Sequence, residues 1–221
     1  MSTTTSAQSQ LVTLAEPRAP ASEAYRTLRT NIQFSRLDKP LRTILVTGVE
    51  AGEGKSTTLA NLAVVMAQGG KRVCAVDCDL RRPTLHKVFG LASEPGLTTA
   101  ILEAGSTVAR QQTSVEGLTL VASGQLPPNP SELLGSHRFA EVLAGLAQEA
   151  DIVLLDAPPV VAVSDAAVLA NKVDGVILVV NAGKTKRDLA KRARSLLEKA
   201  NANILGVVLN NAPVEKSMYT Y

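Results

Sequence analysis

Residues 48–57 read Gly-Val-Glu-Ala-Gly-Glu-Gly-Lys-Ser-Thr, a stretch whose residue types and spacing point to one chemistry. Gly52 and Gly54 allow a tight turn that aims successive backbone N–H groups inward, where they can hold phosphate oxygens. Lys55 then supplies a point charge for β/γ oxygens, and Ser56 a hydroxyl for Mg²⁺. Gly52, Glu53, Gly54, Lys55, Ser56 and Thr57 are therefore the candidate residues for binding ATP with Mg²⁺. Loops of this kind usually have a glycine where Val49 stands. Gly48 is expected to take over that turn.

Two further segments carry carboxylates. Val73-Cys-Ala-Val-Asp77-Cys-Asp79-Leu-Arg81 places two of them just past an apolar run, and Asp151-Ile-Val-Leu-Leu-Asp156 places another at the end of a second run. In an open parallel sheet, ligands bind outside the carboxyl ends of the strands. Asp77 and Asp156 are accordingly expected beside the phosphate loop, reaching Mg²⁺ together with Ser56 directly or through water. Arg81 is expected to offset charge that develops during phosphoryl transfer.

These groups need a scaffold that brings strand ends together. Apolar runs at 43–47, 72–76, 118–122, 152–155, 175–180 and 204–209 have the length of strands, and helical patterns at 55–68, 97–102, 138–148 and 186–200 separate several of them. This alternation predicts an α/β fold with a mostly parallel central sheet and helices on both faces. With 45% apolar but only 3% aromatic residues, the core is expected to consist of Val, Leu, Ile and Ala. Ser22 is a plausible N-cap for a helix reaching Phe34, with Tyr25, Leu28 and Ile32 on one face. Residues 1–21 are expected to be a mobile arm, 22–211 the P-loop domain, and 212–221 a flexible tail.

Composition narrows the function classes. A net charge of +3 gives no argument for a nucleic-acid partner. Cys74 and Cys78 lack zinc spacing and read as reduced buried thiols. No apolar run approaches the roughly 20 residues needed to cross a membrane, and the N-terminus lacks the pattern of a secretory signal. A cytoplasmic chain is expected. The basic stretch Lys184–Arg194 reads as the solvated side of an amphipathic helix.

The phosphate loop, the Asp-x-Asp-x-Arg motif ending at Arg81 and the strand ending in Asp156 together resemble the deviant-Walker P-loop ATPases. Within these, the chain resembles the bacterial tyrosine kinases of capsule and exopolysaccharide synthesis from about Ser22 to Ala212. Glu23-x-x-Arg26-x-x-Arg29 matches that family's N-terminal helix motif, which is associated there with rings. Gln125–Leu134 resembles a segment typical of these kinases, and Glu50 stands where partitioning ATPases carry an extra lysine. The chain ends Met218-Tyr219-Thr220-Tyr221, and the family uses tail tyrosines as phosphate acceptors, usually in a longer cluster.

The resemblance implies an ATP-dependent protein-tyrosine kinase that autophosphorylates Tyr219 and Tyr221 between chains of a ring. It implies Asp79 as acceptor of the tyrosine proton and Asn210 as an adenine contact. Its implied partners are a transmembrane polysaccharide co-polymerase-type adaptor, which recruits the chain to the inner membrane face, other copies of the chain, and a tyrosine phosphatase. The alternatives are an ATP-binding scaffold of a polysaccharide export complex without tyrosine transfer, or a partitioning-type ATPase.

Overall fold

The computed structural model describes residues 11–35, 40–103 and 105–213. Among these residues, seven strands form one sheet in the order β3-β4-β2-β5-β1-β6-β7. The strands are β1 (Thr43–Gly48), β2 (Val73–Asp77), β3 (Gln111–Gln112), β4 (Leu118–Val121), β5 (Ile152–Asp156), β6 (Gly175–Asn181) and β7 (Ile204–Asn210). All pairings are parallel except that of the short edge strand β3 with β4.

Side-chain alternation divides the core. Ile44, Val46, Ala75, Leu154 and Val179 face one layer, whereas Leu45, Cys74, Val76, Leu155 and Leu178 face the other. Because both faces are covered, these strands are apolar at nearly every position. The first face is packed by α1 (Val12–Ala15), α2 (Pro20–Phe34), α3 (Lys55–Gln68) and α4 (Leu85–Phe89). The second is packed by α5 (Leu97–Leu102), α6 (Pro130–Gly135), α7 (His137–Glu149), α8 (Asp165–Ala170) and α9 (Arg187–Lys199).

Helix α3 explains how the phosphate loop is anchored. Every residue from Thr58 to Ala67 is buried, which marks a helix covered on all sides. The sheet covers one side, and α1 and α2 cover the other. Thr13 donates both its backbone N–H and its hydroxyl to Asn61 Oδ1, at 3.1 and 2.8 Å. Arg29 donates to the carbonyl of Val65 at 2.8 Å, close to the end of α3. That carbonyl also accepts the N–H of Gly69 at 3.2 Å, so Arg29 ties α2 to the capped end of α3.

The expected mobile arm is therefore corrected over its second half. Leu11 is buried in the core and α1 is docked onto α3. Helix α2 also starts earlier than expected, at Pro20, whose fixed φ suits a first helical position. Ser22 is consequently inside the helix, with its hydroxyl donating to the carbonyls of Val12 and Glu16 rather than capping. Residues 1–10 of the arm and Val214–Tyr221 of the tail, including Tyr219 and Tyr221, lie outside the described residues. Strand β3 and helices α4 and α8 were not anticipated; each is six residues or fewer, too short for a periodic signal.

Candidate functional site

Strand β1 ends at Gly48 and α3 begins at Lys55, so the intervening loop crosses the carboxyl edge of the sheet. Gly52 and Gly54 have φ of 80° and 85°, values that glycine adopts without a Cβ penalty. Gly54 is constrained further, because a Cβ there would come within 2.1 Å of Asn210 Nδ2. Val49 is fully buried, and its N–H donates to Glu53 Oε2. Gly48 matters for a different reason than turn geometry: a Cβ at Gly48 would meet that same carboxylate oxygen at 2.9 Å.

Glu53 was assigned to nucleotide binding, but its side chain is buried beneath the loop. One oxygen accepts the N–H of Val49 and the other the hydroxyl of Thr185. Asn210, expected at adenine, likewise has both polar amide atoms engaged within the chain. Nδ2 donates to the Glu53 carbonyl at 2.8 Å, and Oδ1 accepts the N–H of Asn211. Both side chains brace the loop from below in this form of the chain.

The three strand-end carboxylates converge as expected, because β2, β5 and β1 are neighbours and Asp77 stands in register with Asp156. Lys55 Nζ lies 2.8 Å from Asp79 Oδ2 and 3.7 Å from Asp156 Oδ1. Ser56 donates its hydroxyl to Asp156 Oδ2. Asp79 Oδ1 accepts the backbone N–H groups of Arg81 and Arg82, at 3.3 and 3.0 Å, which fixes the carboxylate at the cleft wall.

Asp77 is placed differently. It is fully buried, and its oxygens accept the N–H groups of Asp79, Thr84 and Leu85. In this form it clamps the turn after β2 rather than presenting a free ligand oxygen. Arg81 is also committed: its guanidinium makes a two-pronged pair with the buried Asp165, at 2.8 and 3.0 Å. Asp165 has no signal in the sequence, since its partner is distant along the chain. The adjacent Arg82 lines the same cleft and has no ion-pair partner among the described residues.

These groups border a cleft of about 560 Å³ whose walls include Gly52, Lys55, Ser56, Asp79, Arg82 and Pro158. Burial, reinforced by the facing Asp156, pushes Asp77 up to about 7. Burial pushes Asp156 up to about 6, against the opposing charge of Lys55. Lys55 itself is pulled upward: the charges of Asp156 and Asp79 outweigh the effect of its burial.

Both carboxyls thus hold a proton more tightly folded than unfolded, where values near 3.9 apply. Between about pH 4 and pH 7 the folded chain binds more protons, so unfolding free energy falls as pH rises through that window. Without nucleotide, the Asp77→Asn/Asp156→Asn variant is expected to lose this slope, worth at least about 1 kcal/mol. Thermal unfolding across pH 4.5–7.5 checks this, and parallel curves for the two proteins would contradict it.

The Mg²⁺ that the loop implies fits these residues. Asp156 Oδ1 is buried without a hydrogen-bond partner, and the same carboxylate accepts from the Ser56 hydroxyl. Among the described residues no group of three or more His, Cys, Asp or Glu could hold a metal by itself. Mg²⁺ commonly takes only one or two carboxylates and completes its shell with phosphate oxygens and water.

Of the residues assigned to oligomerisation, Glu23 and Arg26 pair with each other at 2.8 Å on the exposed side of α2. Arg26 also donates to the carbonyl of Pro17, and Arg29 is turned to α3 as described above.

A parallel sheet with a glycine loop, lysine and strand-end carboxylates at its carboxyl edge defines a P-loop NTPase. The ParA family, described as NUBPL iron-transfer P-loop NTPase, matches residues 40–217. The tyrosine-protein kinase YwqD of Bacillus subtilis is 42% identical over 216 residues, which cover 97% of this chain and 91% of that protein. The tyrosine-protein kinase wzc of Salmonella typhi is 35% identical over 205 residues, 92% of this chain and 28% of that one. The crystal structure of the chimerical protein CapA2B2 superposes with a TM-score of 0.89 at 39% identity, covering 93% of this chain and 91% of its own. The chain belongs to the bacterial tyrosine-protein kinases, a branch of the ParA-type P-loop NTPases.

Proposed function

We propose that this chain transfers the γ-phosphoryl group of ATP to protein tyrosines, including Tyr219 and Tyr221 of its own tail. The observation that carries the reading is the placement of Asp79. Its carboxylate stands at the cleft wall with Oδ1 held by two backbone N–H groups and, among the described residues, Oδ2 occupied only by the phosphate-loop lysine.

Phosphoryl transfer depends mainly on positioning and charge neutralisation. The loop N–H groups and Lys55 hold the β and γ phosphates. Ser56 and Asp156 would hold Mg²⁺, which would neutralise phosphate charge, and Asp77 keeps the turn after β2 in place. Drawing the Lys55 ammonium onto phosphate oxygens removes it from Asp79 Oδ2. The freed oxygen then accepts a hydrogen bond from the tyrosine hydroxyl, while Oδ1 stays fixed and keeps the carboxylate oriented. A phenol has a pKa near 10, so Asp79 mainly orients the hydroxyl and takes its proton late. The tyrosine oxygen forms the new bond to phosphorus as the bond to ADP breaks. Arg81, neutralised by Asp165, acts by holding the Asp79 turn rather than by contacting phosphate.

Tail labelling tests the acceptors. Tyr219→Phe with Tyr221→Phe is expected to erase autophosphorylation while ATP binding persists. In a mixture with an Asp79→Asn chain, only that chain carries acceptors and only the tail variant has an intact site, so label on the Asp79→Asn chain indicates transfer between chains. A double Phe protein labelled as strongly as wild type removes the tail from the mechanism and favours the export-scaffold reading.

Transfer between chains requires an assembly. We propose that the exposed Glu23–Arg26 side of α2 forms its contact and that charge added to the tails promotes release. Replacing Glu23 and Arg26 with alanine is expected to yield a folded monomer, and light scattering that shows an unaltered assembly rejects this surface. We further propose that a membrane adaptor recruits the chain to the inner membrane face and that a phosphatase resets the tail. Membership of the bacterial tyrosine-protein kinases supports this. No described helix is long and apolar enough to cross a membrane.

A further inference from the structure

Beside the nucleotide cleft lies a second pocket of about 450 Å³, formed by the turn after β2, helix α4 and the segment after β4. Arg82 and Thr84 line both spaces, so the two flank the turn that carries Asp79. Its charged lining is cationic on balance, with Arg82 and Lys87 against the single carboxylate of Glu94. Arg82 and Lys87 are exposed, and neither has an ion-pair partner among the described residues. Two residues of the lining each carry a polar atom, Thr84 Oγ1 and His86 Nδ1, that is buried without a hydrogen-bond partner among the described residues. Such orphans are uncommon in folded proteins and call for a partner. Arg81, one residue away, is by contrast fully engaged by Asp165.

We propose that this pocket is an acceptor-side subsite that holds an anionic group flanking the tyrosine to be phosphorylated. The proposal rests on the kinase reading above. A peptide whose tyrosine reaches Asp79 must cross the turn at Arg82–Thr84, and its neighbouring residues then fall against Arg82 and Lys87. A carboxylate side chain or a phosphate already carried by an adjacent tyrosine meets the same two unpaired cations. Arginine in particular matches the planar and tetrahedral oxyanions of these groups. The subsite selects acceptors by charge. If it accepts a phosphorylated neighbour, one transfer favours the next on the same segment.

The test uses the full chain and synthetic tyrosine peptides alike except for the flanking residue: Glu, Gln, Lys or phosphotyrosine. Exposed ion pairs are worth up to about 1 kcal/mol each, so two of them are expected to lower KM for the Glu peptide by roughly five- to thirty-fold relative to Gln. The phosphotyrosine peptide is expected to have a KM at least as low. Lys87→Glu, a position outside the nucleotide cleft, is expected to abolish this preference and favour the Lys peptide, leaving KM for ATP unchanged. Fluorescence anisotropy with the same peptides carrying Phe in place of the acceptor Tyr reads the subsite without catalysis. Equal KM and equal anisotropy affinity for Glu and Gln peptides, or a preference that survives Lys87→Glu, overturns the subsite. A low KM for Glu alone rejects the phosphate source and retains the carboxylate. Charge-dependent binding of the Phe peptides with no transfer to any Tyr peptide overturns the kinase reading but supports the anion pocket.

Discussion

Lys55→Met is expected to weaken ATP binding by at least about 100-fold and to abolish turnover, since a charge-assisted hydrogen bond is worth about 1.5–3 kcal/mol and the proposed mechanism gives Lys55 one to each of the β and γ phosphates. Methionine keeps most of the stem's volume, so the loop itself should persist. Lys55 matters in the absence of nucleotide as well. Lys55 is the cation facing Asp79 and Asp156 at 2.8 and 3.7 Å, and removing it leaves buried carboxylates uncompensated. Breaking a buried pair from one side is costly unless the remaining group takes up a proton. Asp77 and Asp156, already held upward by burial, are set to do so. The variant is therefore expected to be folded and more stable at pH 6 than at pH 8, by a wider margin than wild type. Calorimetric titration with Mg-ATP, alongside unfolding at both pH values, checks the two parts. Wild-type affinity in a folded Lys55→Met protein removes the phosphate-site assignment.

Asp79→Asn is expected to leave ATP affinity within a few-fold of wild type and to lower phosphoryl transfer by about 10²–10⁴-fold, the usual scale for a general acid–base group. The substitution preserves volume, and an amide oxygen can still accept the N–H groups of Arg81 and Arg82 that now reach Asp79 Oδ1. It removes the oxygen that faces Lys55 and, with nucleotide bound, the tyrosine hydroxyl. Because the resting ion pair with Lys55 also disappears, ATP binding is expected to strengthen slightly rather than weaken. That separation of affinity from rate distinguishes a proton acceptor from a residue that merely holds the loop. Transfer at the wild-type rate contradicts the assignment of Asp79.

The parts of this site legible in the sequence are those encoded locally. The glycine spacing, Lys55 and Ser56 occupy one turn, and apolar runs ending in Asp77 and Asp156 announce strand ends, so a parallel sheet brings them together without further information. What escaped depends on contacts between distant segments. Arg81 could be read as a free cation because nothing near it in sequence reveals Asp165, which α8 carries across the cleft. Glu53 sits within the phosphate loop but turns inward because Val49 and Thr185 offer donors beneath it. Asn210 stands at the end of β7, where β-register places it under Gly54 instead of leaving its amide free. The docking of α1 rests on Leu11 and Leu14 against the core and on one side-chain pair, Thr13 with Asn61, an apolar patch of five residues set in a polar arm. Composition reads such an arm as unstructured, and only the side of α3 that the sheet leaves uncovered shows why it is not.

The central claim is that this cleft phosphorylates tyrosine through Asp79. It is tested most directly by mapping phosphotyrosine on the chain by mass spectrometry after isolation from its own cells, where any adaptor is present, with the wild-type or the Asp79→Asn chain as the sole copy. The account predicts phosphate on Tyr219 and Tyr221 of the wild type and at most traces on Asp79→Asn. A wild-type chain without phosphotyrosine, or equal labelling of the two proteins, would contradict it.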